Sequence, residues 1–222
     1  MTRPKIVAFD IIGTVFSLEP LREPLTALGL PPLALEFVYA AALRDTFAMA
    51  ATTTFAPFLS VLEACLDEVL ALHGLSAPAQ QKRGVLGTME ALPAHDDAGA
   101  AFETLARAGV GIVALSNGSA SVTAGLLRGA GLNGFVEHVL SVEDVKLSKP
   151  RPEVYLYATQ AAGVAPEATM LVAAHPWDIH GAKVADLMGG YVARGRPFPP
   201  TLKAPDIWGD DLLDVARRIA RL

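Results

Sequence analysis

The sequence predicts an α/β protein: a parallel sheet with helices on both faces, interrupted after its first strand by an all-helical insertion. Three observations carry this. The chain opens with KIVAFD at 5–10, a β-branched apolar run that lacks the polar alternation of a half-exposed strand. Runs of the same style return at GIVALS (111–116), MLVAA (170–174) and GYVAR (190–194), with a weaker one, HVLSV, at 138–142. Helical patterns lie between them, whereas residues 17 to about 88 show helical periodicity and no strand.

In chain order, DDAGAAFETLARAG precedes the second strand and SASVTAGLLRGAG follows it, and RPEVYLYATQAAG and WDIHGAKVADLMG come later. Each of these closes on a glycine, the usual helix stop. Inside the insertion, helix-like segments fall near 20–28, 33–51, 56–73 and 77–89, punctuated by Pro31-Pro32, Pro57 and Gly74. GRPFPPTLKAP at 195–205 reads as a surface loop, and a final helix runs to Leu222.

Composition bounds the function. At 222 residues the chain suits one domain with an insertion, and 52% hydrophobic residues supply enough apolar surface to offset chain entropy. Charged residues are only 18%, and a net charge of −5 without any basic stripe excludes nucleic acid as an expected partner. The lone Cys65 rules out an internal disulfide and a CxxC pair, and reads as a small buried hydrophobe. Asp10 interrupts the N-terminal apolar stretch, no small-residue cleavage site follows, and no run reaches the length of a membrane span. A cytoplasmic protein is expected.

Chemistry-bearing residues gather where strands end, which is where parallel sheets place their sites. Asp10 closes the first strand, Gly13 permits a tight turn after it, and Thr14 adds a hydroxyl. Ser116-Asn117-Gly118-Ser119 closes the second strand and is also a good helix N-cap. Lys149 precedes Pro150, which restricts its backbone, although most lysines are solvated surface groups. Asp178 follows the fourth strand in AAHPWD, and by itself could simply cap a helix. No GxxxxGK, HExxH or GxSxG is present, so nucleotide, zinc and serine-hydrolase readings lose their signatures, and a dinucleotide reading is set aside with them.

The order and spacing of FDIIGTVF (9–16), LSNGS (115–119), LSVEDVKLSKPRPEVY (140–155) and WD (177–178) resemble the haloacid dehalogenase superfamily, and within it the type II 2-haloacid dehalogenases that act on L (S) substrates. The resemblance implies a Rossmann-like core of residues 1–15 plus 90–222, with residues 16–89 forming a helical cap. It implies that Asp10 displaces the halogen to form an ester, and that Asp178 with Lys149 activates the water that hydrolyses it. Thr14, Ser116 and the backbone amides of Ile11 and Ile12 would hold carboxylates, and Asn117 the leaving halide. Tyr155 would position Lys149 or line the pocket, and Trp177 would line it or pack beneath the cap. No metal and no cofactor are expected. The implied partners are a small 2-haloacid and, by analogy, a second copy of the chain packed through the cap helix around Tyr39–Leu43.

Four positions depart from the superfamily's patterns. Its phosphatases place a second acid two residues after the nucleophile, where this chain has Ile12, which can neither donate a proton nor bind Mg²⁺ through its side chain. The dehalogenases carry a cap arginine against the halide, where this chain has Tyr39; Arg44 comes five residues later, on a different helix face. Ser and Asn stand five and three residues before the fourth-motif aspartate in the family, but here they are Ala173 and His175. His175 could donate to Asp10 or to the ester, or pack under Trp177, while His180 reads as structural. Two alternatives stay open: a Mg²⁺-dependent phosphatase of small phosphate esters, and a catalytically degenerate binding protein.

Overall fold

Six parallel strands form one sheet in the computed structural model, which describes residues 2–222. They are β1 (Ile6–Phe9), β2 (Gly111–Ser116), β3 (His138–Ser141), β4 (Thr169–Ala173), β5 (Met188–Val192) and β6 (Ile207–Gly209). Their order is β3-β2-β1-β4-β5-β6, with Phe9 registered against Ala114 on one side and Val172 on the other. The chain builds outward from β1 in one direction, then returns to β4 and builds the other way. The crevice beyond the carboxyl ends of β1 and β4 is therefore the topological switch point, the usual place for a ligand in such a sheet. Alternation of side chains along β1 feeds two cores: Val7 and Phe9 pack into one, Ile6 and Ala8 into the other. Phe9 stacks on Phe102 at 4.7 Å between ring centroids.

Between β1 and β2 the chain forms α1 (Arg22–Ala27), α2 (Ala34–Ala51), α3 (Phe58–Leu72) and α4 (Ala79–Gly87), close to the four segments read from periodicity. Their apolar residues, including Val38, Leu62 and Leu66, join the same cluster as Val7 and Phe9, so insertion and sheet share a core. Then come α5 (Ala98–Arg107), α6 (Ala120–Gly129), α7 (Val142–Val145), α8 (Pro152–Ala162), α9 (Pro176–Val184) and α10 (Leu212–Ala220).

Two local readings differ from the structure. The three-residue β6 lies just beyond the Pro-rich loop, where only a final helix was expected. Gly109, Gly131 and Gly163 have the positive φ of helix stops, but Gly189 lies inside β5; α9 ends at Val184 and the chain turns at Asp186, whose φ is 62°. The Ser116–Ser119 segment does supply a helix cap, as expected: Ser119 caps α6, its hydroxyl accepting from the Val122 amide. The run Gly129-Ala130-Gly131-Leu132-Asn133-Gly134 matches dinucleotide-binding spacing, but it runs out of the end of α6 instead of joining a strand to a helix, so the dinucleotide reading stays set aside.

Candidate active site

The turn after β1 is built to present Asp10. The Ile11 carbonyl accepts from the amides of Val15 and Phe16 at 3.0 Å, and Gly13 donates to Phe16. None of these bonds uses the amides of Ile11 or Ile12. Gly13 has φ +82°, and a Cβ there would lie 2.7 Å from His175 Nε2, so both the turn and the approach of His175 require glycine. The Thr14 hydroxyl donates to Asp10 Oδ2 at 2.6 Å and accepts from the Ala174 amide at 2.9 Å, which ties the end of β1 to the end of β4.

Lys149 reaches between two carboxylates. Its Nζ lies 3.1 Å from Asp10 Oδ1 and 2.8 Å from Asp178 Oδ2. Lys149 and Asp178 are 0% exposed and Asp10 5%, so these charges are stripped of water and depend on one another. Burial pulls the Lys149 ammonium down, but the facing Asp10 and Asp178 carboxylates more than reverse that, and its pKa stands above the ordinary lysine value. Asp178 stands above the ordinary carboxylate value, chiefly through burial; Lys149 opposes this shift and Asp10 adds to it.

The loop carrying Lys149 is fixed by its own amide, which donates to Asn117 Oδ1 at 3.1 Å. Asn117 thus anchors the lysine loop with the oxygen of its amide. Ser116 Oγ accepts from the Gly118 amide at 2.9 Å, which leaves its proton to donate. Asp178 sits within the first turn of α9, not at its cap, and its carboxylate turns inward. Tyr155 donates to Asp178 Oδ1 at 2.6 Å, so it positions Asp178; the expectation that it positions Lys149 is corrected by that contact. Burial and the same carboxylate push the Tyr155 hydroxyl well above its usual range, keeping it a donor. A Cβ at Gly181 would collide with that hydroxyl, which gives α9 its glycine.

The two unusual positions meet. Tyr39 from α2 and His175 face each other with ring centroids 5.9 Å apart, and His175 stacks on Trp177 at 5.5 Å. His175 Nε2 lies 3.1 Å from the Ile12 carbonyl and 3.7 Å from Asp10 Oδ2. A carbonyl only accepts, so Nε2 carries a proton, and His175 is both packed under Trp177 and aimed at the Asp10 edge. The Trp177 indole N–H is buried without a hydrogen-bond partner among the described residues. Arg44 does not approach: it is exposed and paired with Asp45 and Glu68. His180 accepts from the Lys203 amide, a structural contact.

Ile12 borders an apolar cavity of about 220 Å³ that Phe58 and Leu59 of α3 close from the insertion side and Val122 from the core side. For Mg²⁺ the donors are poor. Both carboxylates already face the Lys149 ammonium, and the Ile12 carbonyl faces a His175 N–H. Among the described residues, three metal-type ligands converge only at Asp45, Cys65 and Glu68, away from this site and beside the Arg44 guanidinium. Sequence spacing gave no signal for Arg194 and Arg196 of the Pro-rich region. Arg194 donates to the Thr14 carbonyl at 3.3 Å and Arg196 to the Ala174 carbonyl at 3.4 Å, so both border the site.

A parallel sheet with its switch point at β1 and β4, a strand-end aspartate held by a lysine, and a helical insertion above them define a class of hydrolase. The chain belongs to the haloacid dehalogenase-like hydrolase family, whose model matches residues 4–186. Among curated relatives, it is 32% identical over 128 residues to (S)-2-haloacid dehalogenase 1 of Pseudomonas sp. (strain CBS-3), covering 58% of this chain and 56% of that one. It is 34% identical over 125 residues to the phosphoserine phosphatase of Thermus thermophilus, covering 55% and 50%. Each match thus spans about half of the relative's length. In fold, it matches the L-2-haloacid dehalogenase of Xanthobacter autotrophicus with a TM-score of 0.87 at 23% identity, over 99% of this chain and 98% of that one.

Proposed function

We propose that this chain hydrolyses the carbon–halogen bond of small 2-haloacids through an ester on Asp10. The observation that carries the reading is a buried Asp10 carboxylate fixed by Lys149 at 3.1 Å and Thr14 at 2.6 Å, with apolar Ile12 two residues on. A carboxylate oxygen of Asp10 forms a bond to C2 as the carbon–halogen bond breaks, and the halide leaves with the bonding pair. Water then attacks the ester carbonyl carbon and gives one proton to Asp178. The bond from that carbon to the ester oxygen breaks, and Asp178 returns the proton to that oxygen as the 2-hydroxy acid departs. The Asp10 carboxyl releases the remaining proton to solvent and is regenerated. Fixing the nucleophile before substrate arrives removes much of the orientation cost of the displacement. The Ile11 and Ile12 amides and Ser116 would receive the substrate carboxylate. Asn117 and Trp177, with Tyr39 and His175, would line the halide side, and the cavity beside Ile12 would take the C2 substituent. Residues 16–89 would act as the cap over this site.

The likeness to a phosphoserine phosphatase favours a second reading, a Mg²⁺-dependent phosphatase, against which the donor set stands. The deciding experiment measures halide release from chloroacetate and 2-chloropropionate with and without chelator, beside phosphate release from small esters. Chelator-indifferent halide release is expected, and Asp10→Asn should lower it at least about 10³-fold. After one turnover in heavy-oxygen water, the label should sit in Asp10. Mg²⁺-dependent phosphate release without halide release would overturn the reading.

The same reading places the enzyme in the cytoplasm, and among the described residues no helix is long and apolar enough to cross a membrane. It includes a homodimer through α2 and α3, whose Phe37 and Leu72 are exposed apolar groups, as light scattering would test.

A further inference from the structure

The buried trio sets two carboxyl groups against a single ammonium, and a carboxylate substrate adds a further acid group. An anion approaching such a site needs a cation along its way in or out. On the side of Gly13, Tyr39 and His175 the site opens into a cleft of about 270 Å³ whose walls include Arg22, Arg194 and Arg196. Arg22 is neutralised by Glu19 at 2.5 Å and Glu36 at 2.7 Å, and Arg194 by Asp97 at 3.2 Å. Arg196 has no carboxylate partner among the described residues. Its guanidinium donates to the Ala174 carbonyl, one residue before His175, whose ring lies 3.7 Å from Asp10.

We propose that Arg196 is the cation of an anion-binding site at this mouth, taking a small monovalent anion: the carboxylate of the incoming acid or the halide on its way out. Only the identity of that anion rests on the dehalogenase reading. The loop is anchored for such a role. The Arg196 amide donates to the Ala193 carbonyl at 2.8 Å, and its own carbonyl accepts from the Tyr191 hydroxyl at 3.3 Å. Pro197 restricts the backbone of Arg196 before it, and Phe198 packs edge-on against Tyr191 at 5.1 Å. The field of the guanidinium reaches Tyr39, where it partly offsets the upward push of burial and of the two aspartates on the hydroxyl. A planar fork suits a carboxylate, and its charge alone suits a halide.

The test titrates bromide and acetate, neither of which needs turnover, into the wild type, Arg196→Ala and Arg196→Lys. Trp177 fluorescence reports binding, taken as the signal lost in Trp177→Phe, and circular dichroism checks the fold. Arg196→Ala is expected to weaken at least one anion about five-fold or more, the scale of one exposed charge contact. Loss for acetate assigns the site to the substrate carboxylate, and loss for bromide assigns it to the halide. Arg196→Lys should keep most bromide affinity. Unchanged binding of both anions in Arg196→Ala, or an equal loss of both in Arg196→Lys, would overturn the proposal. Absent halide release by the wild type would instead count against the dehalogenase reading, which the binding data do not need.

Discussion

Two trios in this protein share a stoichiometry, one cation between two carboxylates, and nearly share their distances. In the insertion, Arg44 contacts Asp45 and Glu68, each at 2.7 Å. At the switch point, Lys149 contacts Asp178 at 2.8 Å and Asp10 at 3.1 Å. What separates them is water: the side chains of the first trio are 57%, 44% and 42% exposed, while those of the second are 0%, 0% and 7% exposed. Exposed ion pairs are screened and contribute little, so the first trio is a solvated face. Buried charges cannot be released individually to solvent, so the second is a fixed electrostatic unit whose members set one another's protonation. Geometry alone does not tell a site from a surface; geometry with burial does.

The largest effect expected from this contrast comes at Lys149. Lys149→Met leaves two buried carboxylates facing each other without their cation, which should cost about 3–5 kcal/mol of folding stability and abolish halide release. Urea unfolding measures the first part. Adding Asp178→Asn to that variant removes one of the two charges and should recover part of the stability without recovering activity, since the coupling between neighbours is not additive. If Lys149→Met unfolds at the same urea concentration as wild type, the trio is not an electrostatic unit.

A smaller effect appears in the response to pH. The Asp178 pKa is raised above its ordinary 3.8, so in the window above that value the folded state holds a proton that the unfolded state has released. The contribution of Asp178 to stability is therefore largest below the window and falls as pH rises through its folded pKa. Catalysis requires the opposite form: water activation needs the ionised carboxylate, so activity rises through the same window in which that contribution falls. Lys149, raised above 10.5, contributes fully below that value and loses its contribution only as pH climbs through its folded pKa. The acid limb of the rate profile should accordingly lie above the ordinary aspartate range. Asp178→Asn should flatten the matching trend in stability. A limb at 3.8 would place the working base elsewhere.

The sequence made much of this legible, and unevenly. Buried strands announce themselves because a run such as IVAF has no polar alternation to hide it, and Asp10 stands out as the acid that ends one. Lys149 and Asp178 could be named from spacing, but their bridge could not, since residues 29 apart meet only after β4 returns beside β1. The partner of Tyr155 was unreadable for the same reason: a phenol chooses its acceptor from tertiary neighbours. Strand β6 escaped because three residues, with Trp208 half exposed, carry no measurable period. Arg196 escaped because a Pro-rich stretch reads as a loop, and only the folded chain shows which cavity the loop borders.

The smallest expected effect is at Arg44, and it is informative because it is small. By the family resemblance Tyr39 stands where a cap arginine is expected, and Arg44 is the nearest cation to it in the sequence. In the folded chain its guanidinium is spent on Asp45 and Glu68, and the aromatic face of Tyr39 turns to His175 instead. An exposed guanidinium with two exposed partners is screened by water and salt and contributes little to its surroundings. Arg44→Ala should leave kcat/KM for chloroacetate within about two-fold of wild type, and should move Tm by no more than about a degree or two. A loss of ten-fold or more would mean that α2 turns in the working enzyme so that Arg44 replaces Tyr39 over the site. In that case the exposed trio would be the resting place of a catalytic group, and the line drawn here between the two trios by burial would fail.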